Sequence, residues 1–433
     1  MNAPMQTLAF NPADARTALN QLPTSAAVFA LYGAEAHAEP YIGRTPNLRG
    51  RLERLLQPSA QHPRRLQLAS LVREIRWQLT GSDFEALLAQ FSLLEKVYGP
   101  KCLERMHLGQ PAFIRFLGSN AYPRVTVTHR PSQREANWAY GPFASRAAAE
   151  RFADETLKLF LLRRCTEELA PNPAHPGCVY SEMKMCLAPC YQGCTNERYA
   201  QEAAAVEQFL ATRGESRLAA LRIERETASA NLEFEAAAAI HSQVQRVEGV
   251  RALAPELVRP LSQLRAVILQ ASANPDEVAV FLYESGSLTG PASFSTVGMR
   301  IQNEQSGSTS LFAQPMALEP VPEEPPAEAA AEAPIKIPRG LLESRLDDAL
   351  AALASSEAPS PTLRQGHLAL LKRWYYRPEV RRTGEIFFPN DEGGWPVKAI
   401  LRGVGRVYSS KFKAAAGESQ NGNTPKPETP IGH

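Results

Sequence analysis

The sequence lacks several features that would assign it at once to a class of protein. It has no run of roughly 18 apolar residues, the length that a transmembrane helix needs, and no basic segment followed by an apolar one near its start, as a secretory signal would have. Cysteine is scarce, with 6 in 433 residues, which favours reduced thiols or a metal site over a disulfide framework. Lys and Arg number 47 against 45 Asp and Glu, so the formal net charge is only +2. We therefore expect a cytoplasmic protein without a membrane partner, whose contacts with nucleic acid, if it has any, come from a local basic surface.

The composition divides the chain into segments of different character. Short apolar runs alternate with helical patterns, and 44% of the residues are hydrophobic, which is enough for two or three cores in an α+β fold. The predicted segments are a small α/β unit (22–105), a linker and cysteine-rich region (106–195), a helical pair with a break near Ala230 (196–252), a small strand-rich segment with two strands around an ESGS turn (253–310), a Pro/Glu/Ala-rich disordered linker (311–338), a short mixed segment (339–412) and a disordered tail (413–433).

The first unit contains the most basic stretch of the chain. Eight arginines and two glutamates lie between Tyr41 and Thr80. Guanidinium groups clustered in this way suit contacts with the phosphates of a nucleic-acid backbone. A solvated helix face would look the same from charge alone, so both interpretations stay open at this point.

The motifs of this unit resemble the GIY-YIG nuclease domain. Ala27-Val28-Phe29 and Tyr41-Ile42-Gly43 are followed by Arg44, Asn47 and Arg51 at the family's spacing, and the order of later segments resembles the UvrC family in particular, including its short Cho-like members. The resemblance implies an incision subunit of nucleotide excision repair that binds double-stranded DNA. It assigns Tyr41 and Arg51 to the scissile phosphate, gives Arg44 the place of a usual lysine, and implies DNA contacts by Arg44, Asn47, Arg49, Arg51 and Arg54.

Two positions depart from the family's catalytic pattern. Phe29 stands where the first tyrosine is usual, and Gln90 stands where a helix glutamate holds Mg²⁺ or Mn²⁺; a one-residue shift of the alignment would put Phe91 there instead. Neither side chain is a carboxylate, and a neutral amide is a poorer ligand for these hard cations. The sequence thus supports two hypotheses, a metal-dependent endonuclease and a non-catalytic scaffold that binds DNA or a partner.

Four cysteines follow a C-x12-C-x7-C-x3-C spacing, namely Cys165, Cys178, Cys186 and Cys190. Four thiolates can hold zinc or an iron–sulfur cluster, and the spacing does not choose between these or a set of reduced thiols. The resemblance to UvrC implies a four-iron four-sulfur cluster, with zinc as the alternative. An iron–sulfur redox or structural protein unrelated to repair is a third hypothesis for the chain.

The segment ANLEFEAAAAIHSQVQRV, which starts at Ala230, has apolar residues at helical spacing on both sides of a predicted turn. On residues alone it is a helical hairpin that packs on its own domain. It also resembles the UVR motif, which in the family pairs with UvrB, and this implies that Leu232, Phe234 and Ile240 bind that partner.

The C-terminal segments resemble the region that precedes the second nuclease domain of UvrC. Only 43 residues follow Asn390, and they contain neither an acidic cluster nor a helix-hairpin-helix pattern. We therefore expect no second incision site in this chain and a strand-rich remnant in its place.

Overall fold

Helices and strands are mixed throughout the described part of the chain, which confirms the α+β class at this coarse level. The computed structural model describes residues 5–35, 38–56, 66–132, 137–299, 338–354 and 358–421. Within these ranges the strands form three sheets of four strands each, and every strand pair is antiparallel.

The first sheet has the strand order β1-β4-β2-β3. Its strands and helices are β1 (Gln6–Ala9), α1 (Ala15–Asn20), β2 (Ala27–Gly33), β3 (Tyr41–Thr45), α2 (Leu48–Leu56), α3 (Leu66–Leu71), β4 (Val72–Leu79), α4 (Asp83–Tyr98) and α5 (Cys102–Arg105). Alternate residues of β2 face opposite layers, as the pleat requires. Phe29 and its neighbours at two-residue spacing pack against α1 and α2, whereas Val28 packs against Ala86 and Ala89 of α4.

Helix α4 is apolar on most of its circumference because it is buried on two sides. Beyond its contact with Val28, its other face lies in a core shared with the C-terminal half of the chain. Phe84 lies edge-on to Phe281, with ring centroids 5.1 Å apart, and 5.2 Å from the ring of Trp374. Just before the helix, a Cβ on Gly81 would lie 2.2 Å from the backbone of Ser272, so only glycine permits this close approach.

The second sheet has the order β6-β5-β7-β8 and carries the cysteine-rich region beside it. Its elements are β5 (Ala112–Phe116), β6 (Val125–Thr128), β7 (Ala139–Phe143), α6 (Arg146–Leu157), α7 (Val179–Glu182) and β8 (Arg259–Pro260). Aromatic and aliphatic side chains of β5, β7 and α6 form its core together with the helices that follow.

Residues 196–252 form three helices rather than the predicted pair: α8 (Asn196–Ala211), α9 (Glu215–Ala230) and α10 (Phe234–Arg251). The unexpected break falls at Arg213 and Gly214, whose φ angles are +54° and +83°. A left-handed glycine ends helices readily, but the single Gly in a long helical pattern was too weak a signal to show this. The break that the sequence predicts near Ala230 lies at Asn231 and Leu232.

The third sheet joins two segments that the sequence analysis treated as separate. Its order is β11-β10-β9-β12, and its elements are β9 (Ala266–Ala271), β10 (Glu277–Glu284), β11 (Ser287–Ser295), α11 (Arg339–Leu353), α12 (Pro361–Tyr375), β12 (Glu385–Phe387) and α13 (Val397–Asn421). The segment 253–310 thus contributes three strands to this sheet instead of two, and β12 from the segment 339–412 pairs with β9.

Two further expectations concern the ends of these segments. The predicted linker 311–338 lies outside the described residues except for Pro338. Helix α13 continues to Asn421. The prediction of a disordered tail from residue 413 is therefore wrong for residues 413–421. Residues 422–433 lie outside the described residues. Among the described helices, none combines the length and the hydropathy needed to cross a membrane.

Candidate functional site

The YIG tyrosine lies on the edge strand of the first sheet. In the register of β2 and β3, Leu31 pairs with Tyr41 and Phe29 pairs with Gly43, so these side chains share the face that carries α1 and α2. Tyr41 is 40% exposed, and its ring centroid is 6.1 Å from that of Phe29. The hydroxyl of Tyr41 is therefore presented near solvent beside an apolar wall.

Phe29 is part of the hydrophobic core. It is buried among the leucines of α2, and a Cβ on Gly43 would lie 2.8 Å from its para carbon. Gly43 is thus needed for the close contact between the aromatic ring and the neighbouring strand. The Phe29 side chain thus contributes apolar packing at this position and has no polar group.

Helix α2 presents its arginines next to this face, and several of them also stabilise the helix. Asn47 caps the helix, because its Oδ1 accepts a hydrogen bond of 2.8 Å from the Gly50 amide. Arg49 donates to the Leu22 carbonyl at 2.7 Å, and Arg54 donates to the Gly50 carbonyl at 2.9 Å. Arg51 is half-buried, and its guanidinium has no hydrogen bond or ion pair with any described residue. Arg51 is therefore the arginine of this helix whose guanidinium has no partner within the described part of the chain.

Arg44 lies on the other face of the sheet from Tyr41. It forms an ion pair with Asp83 at the start of α4, and the second oxygen of Asp83 accepts from Arg377, 2.6 Å away. The sequence analysis missed Asp83 and Arg377. Asp83 showed only as an acidic residue in a helix's first turn, and Arg377 gave no signal because it lies far along the chain.

Gln90 is half-buried on α4, in the layer opposite to that of Phe29 and Tyr41. The alternative position, Phe91, is fully buried, with its ring 5.5 Å from that of His367. Nearby Glu85 is used locally, since its Oε2 accepts from the Gly81 amide at 2.8 Å and burial raises its pKa to about 7. The structure thus brings Tyr41 and α2 together on one face, and Gln90 and Arg44 lie on the other.

The four predicted cysteine ligands lie in one region of irregular backbone around α7. Burial raises the pKa of the Cys186 thiol, and the charges of Cys178, Cys190 and Cys165 raise it further. Burial raises the pKa of the Cys190 thiol in the same way. Arg163 approaches this group, with its Nη1 3.6 Å from the sulfur of Cys165.

These thiols are near one another without forming a ligand set. Within the described part of the chain, no three His, Cys, Asp or Glu side chains are arranged so that they could hold a metal ion. Thiolates are the right ligand type for iron or zinc, but here they would have to move closer together to bind either.

The turn between α9 and α10 exposes large apolar side chains. Leu232 is 71% exposed and Phe234 is 67% exposed, and Ile223 on α9 is exposed as well. Ile240 is half-buried against the core of the second sheet, and Val244 further along α10 is fully enclosed. The predicted partner-binding residues are therefore divided, with Leu232 and Phe234 at the exposed tip and Ile240 near its base.

Comparison with known proteins identifies the middle of the chain. The model of the UvrC/Cho excinuclease middle domain matches residues 113–209. The chain is 31% identical to UvrABC system protein C of Alcanivorax borkumensis over 212 residues, which are 49% of this chain and 34% of that protein.

Two further relatives with the same name give similar matches. The protein of Ruminiclostridium cellulolyticum is 28% identical over 69% of this chain and 49% of its own length. That of Shigella dysenteriae is 29% identical over 55% of this chain and 41% of its own length. The matches thus span a third to a half of these relatives. No solved structure matches the chain significantly. Residues 113–209 thus match the UvrC/Cho middle domain, and these relatives support membership of the chain in the UvrC family.

Proposed function

We propose that this protein acts in bacterial nucleotide excision repair as a UvrC/Cho-like subunit that binds DNA and UvrB. We further propose that its N-terminal unit has the GIY-YIG endonuclease fold and that its metal-dependent incision is lost or strongly reduced. The packing around the two degenerate positions, Phe29 and Gln90, supports the loss of incision. Phe29 is sealed in the core, and the helix position of the metal ligand is a half-buried amide in the opposite layer.

The DNA surface in this proposal is the face formed by Tyr41 and α2. Tyr41 is 40% exposed, and the guanidinium of Arg51 has no partner among the described residues, so both side chains are available to a phosphate. Arg49 and Arg54 each use one nitrogen for a backbone carbonyl and keep others for the same purpose. Asn47 supports this surface by capping the helix.

The UvrB surface in this proposal is the tip of the α9–α10 hairpin. Large apolar side chains that no part of the protein covers are typical of interaction sites, and aromatic anchors dominate the energies of such contacts. Phe234 and Leu232 fit this role by their exposure, and Ile240 supports the hairpin from beneath.

An active endonuclease is the second candidate, and the solvent-facing Tyr41 beside α2 favours it. In that case Mg²⁺ or Mn²⁺ would stabilise charge on the phosphate, the Tyr41 hydroxyl would orient the attacking water, and Arg51 would stabilise the developing charge. Gln90 is a poor ligand for such an ion, so another group would have to hold it.

Nicking of a lesion-bearing duplex loaded with UvrB, with Mg²⁺ or Mn²⁺, tests both candidates. We expect no nicking by the wild type, retained binding of DNA and UvrB, and weaker DNA binding by Arg51→Ala. Arg246→Ala, an exposed arginine on α10, serves as the charge-matched control. Wild-type nicking that Arg51→Ala abolishes would establish the active endonuclease instead. Where the wild type does not nick, the variant Gln90→Glu tests whether restoring the carboxylate restores cleavage.

The cysteine region is proposed to hold a four-iron four-sulfur cluster, with zinc as the alternative. The support is the shared location of four thiols whose charges act on one another. Anaerobic purification followed by absorption spectroscopy and metal analysis tests it. A charge-transfer band with bound iron supports the cluster, stoichiometric zinc supports the alternative, and protein free of both metals would contradict the proposal.

A further inference from the structure

A cleft lies between α11 and α13, the two helices that pack on the third sheet. Leu346 of α11 and Ile400 of α13 belong to one core with strands of that sheet, so the two helices are fixed relative to each other. The cleft has a volume of about 560 Å³, within the range of about 300–1,000 Å³ that is usual for ligand pockets. We call it the α11–α13 cleft. It shares no residue with the DNA and UvrB surfaces proposed above.

One wall of the α11–α13 cleft is aromatic. Trp395, just before α13, lines the cleft and is half-buried. Its ring is held by Arg265, which is not part of the cleft and whose guanidinium carbon lies 4.9 Å from the ring centroid. Arg265 is fixed in turn by an ion pair with Glu284 at 2.6 Å and by a hydrogen bond to the Gly393 carbonyl at 3.3 Å. The indole is therefore an aromatic surface that is positioned before any ligand arrives.

The two helices place opposite charges on the two sides of the cleft. Lys398 and Arg402 lie one turn apart on α13, and their exposed side chains have no hydrogen bond or ion pair with any described residue. On α11, Glu343 accepts from Arg339 at 2.8 Å, whereas the exposed Asp347 has no such partner among the described residues. Within the described part of the chain, the cleft thus has two unpaired cations on one side and one unpaired carboxylate on the other.

This arrangement favours a ligand with two different ends and a flat apolar body. A bare anion would gain nothing from Asp347 or Trp395, and a bare cation would be repelled by two positive charges. A nucleotide satisfies each part of the cleft. Its phosphate can bind Lys398 and Arg402, its base can lie against the indole, and an N–H group of the base can donate to the carboxylate of Asp347.

The base in such a site must be unpaired, because the bases of a duplex are stacked and paired and cannot reach a side chain in a cleft. Positive charge also continues along α13 beyond the cleft. Arg406 and Lys411 follow, and no Asp or Glu occurs in the helix before Glu418, although Glu385 pairs with Arg406. A basic surface beside an aromatic one is the usual way to bind a single strand. We propose that the α11–α13 cleft binds one unpaired nucleotide of a single-stranded nucleic acid.

Fluorescence anisotropy of a labelled single-stranded oligodeoxyadenylate, titrated with the full-length protein, tests this proposal. The matched control is an abasic oligomer of the same length, which keeps the phosphates and lacks the bases. We expect saturable binding of the oligodeoxyadenylate and at least fivefold weaker binding of the abasic oligomer, since stacking of a base on an aromatic side chain contributes about that factor or more. Equal binding of the two oligomers would overturn the proposal, as would no binding of the oligodeoxyadenylate.

Two variants place the binding in the cleft. Arg402→Gln should weaken the single strand at least tenfold, because it removes a charged hydrogen bond. Lys398→Gln replaces it should that variant fail to fold. Arg246→Gln, at an exposed arginine of α10, is the charge-matched control and should change nothing. The binding of duplex DNA, which we assign to Tyr41 and α2, should be the same in Arg402→Gln as in the wild type, so the two proposals can fail separately. Unchanged single-strand binding in the folded variant would refute the site.

Tryptophan emission gives a second readout that reports on the base. The oligodeoxyadenylate should quench the emission of the wild type and should leave that of Trp395→Phe unchanged, because the three other tryptophans, Trp77, Trp138 and Trp374, do not line the cleft. Quenching that persists in Trp395→Phe would mean that the base lies elsewhere, and this would overturn the proposal.

Discussion

Helices α4 and α10 both carry residues that the family resemblance singles out, and they use their apolar side chains in opposite ways. On α4, Phe91 and its neighbours are enclosed by the C-terminal half of the protein. At the start of α10, Phe234 is 67% exposed. Packing among the described residues accounts for the hydrophobic residues of α4, but it does not account for Phe234, which is why we propose that Phe234 binds a partner.

The contrast bears on how a degenerate catalytic motif should be interpreted. The position next to Gln90 is occupied by a core phenylalanine that supports α12, and α4 as a whole joins two sheets. A helix packed in this way is necessary for folding whether or not it carries a catalytic carboxylate. Its presence therefore says little about activity, whereas packing among the described residues does not account for the exposed apolar side chains at the tip of α10.

The largest expected effect comes from replacing matched phenylalanines in the two helices. Phe91→Ala should lower the free energy of unfolding by about 3–5 kcal/mol, because it leaves a cavity in a dense core. Phe234→Ala should change it by less than about 0.5 kcal/mol. Urea unfolding followed by circular dichroism measures both. Similar losses in the two variants would remove the basis of the comparison.

The dependence of stability on pH sharpens the description of α4. Burial lowers the pKa of His367 on α12 to about 4, and its Nδ1 accepts from the Leu288 amide at 3.1 Å. Since the folded state disfavours the protonated form, His367 makes stability fall as pH drops from about 6.5 to 4, by up to about 3 kcal/mol.

Glu85 changes the stability in the opposite direction over nearly the same pH range. Its pKa is raised from 4.5 to about 7, so the folded state favours its protonated form and stability is lost as pH rises through that window. Wild type should therefore show little net slope between pH 4.5 and 6.5. In urea titrations at several pH values, the free energy of unfolding of Glu85→Gln should rise with pH, and that of His367→Asn should fall with pH. Parallel profiles for the two variants would contradict this assignment.

The next effect concerns partner binding at the tip of α10. Phe234→Ala should weaken binding to UvrB by at least about 2 kcal/mol, since a central aromatic anchor contributes that much. The exposed Gln243→Ala on the same helix is the control. Calorimetry with purified UvrB measures both, and unchanged affinity in Phe234→Ala would remove the tip from the proposed interface.

The smallest effect concerns Leu232, which is exposed and has a φ of +62°. A left-handed backbone costs about 1–2 kcal/mol for a residue with a side chain. Leu232→Gly should therefore raise the free energy of unfolding by about 1 kcal/mol while it weakens UvrB binding. A loss of stability would mean that the leucine packs within the chain after all.

The sequence was informative where the signal was local. The hairpin of β2 and β3, the helix with Arg51 and the turn near Asn231 follow from alternation, helical periodicity and a polar cap, all within a few residues. The ion pairs of Asp83 and the pairing of β12 with β9 join distant segments and have no local pattern. The extra break at Arg213 was missed because helical periodicity continues on both sides of it.

The burial of α4 against α12 has a consequence for how the protein is made. Ribosomes add about 5–20 residues per second, so Phe84 and Phe91 emerge tens of seconds before α12, which covers them. During this interval the aromatic side chains of α4 are exposed and can contact other chains. Non-local contacts of this kind also slow folding. The nascent chain should accordingly depend on chaperones until α12 is synthesised, and shortened chains that end before α12 should aggregate.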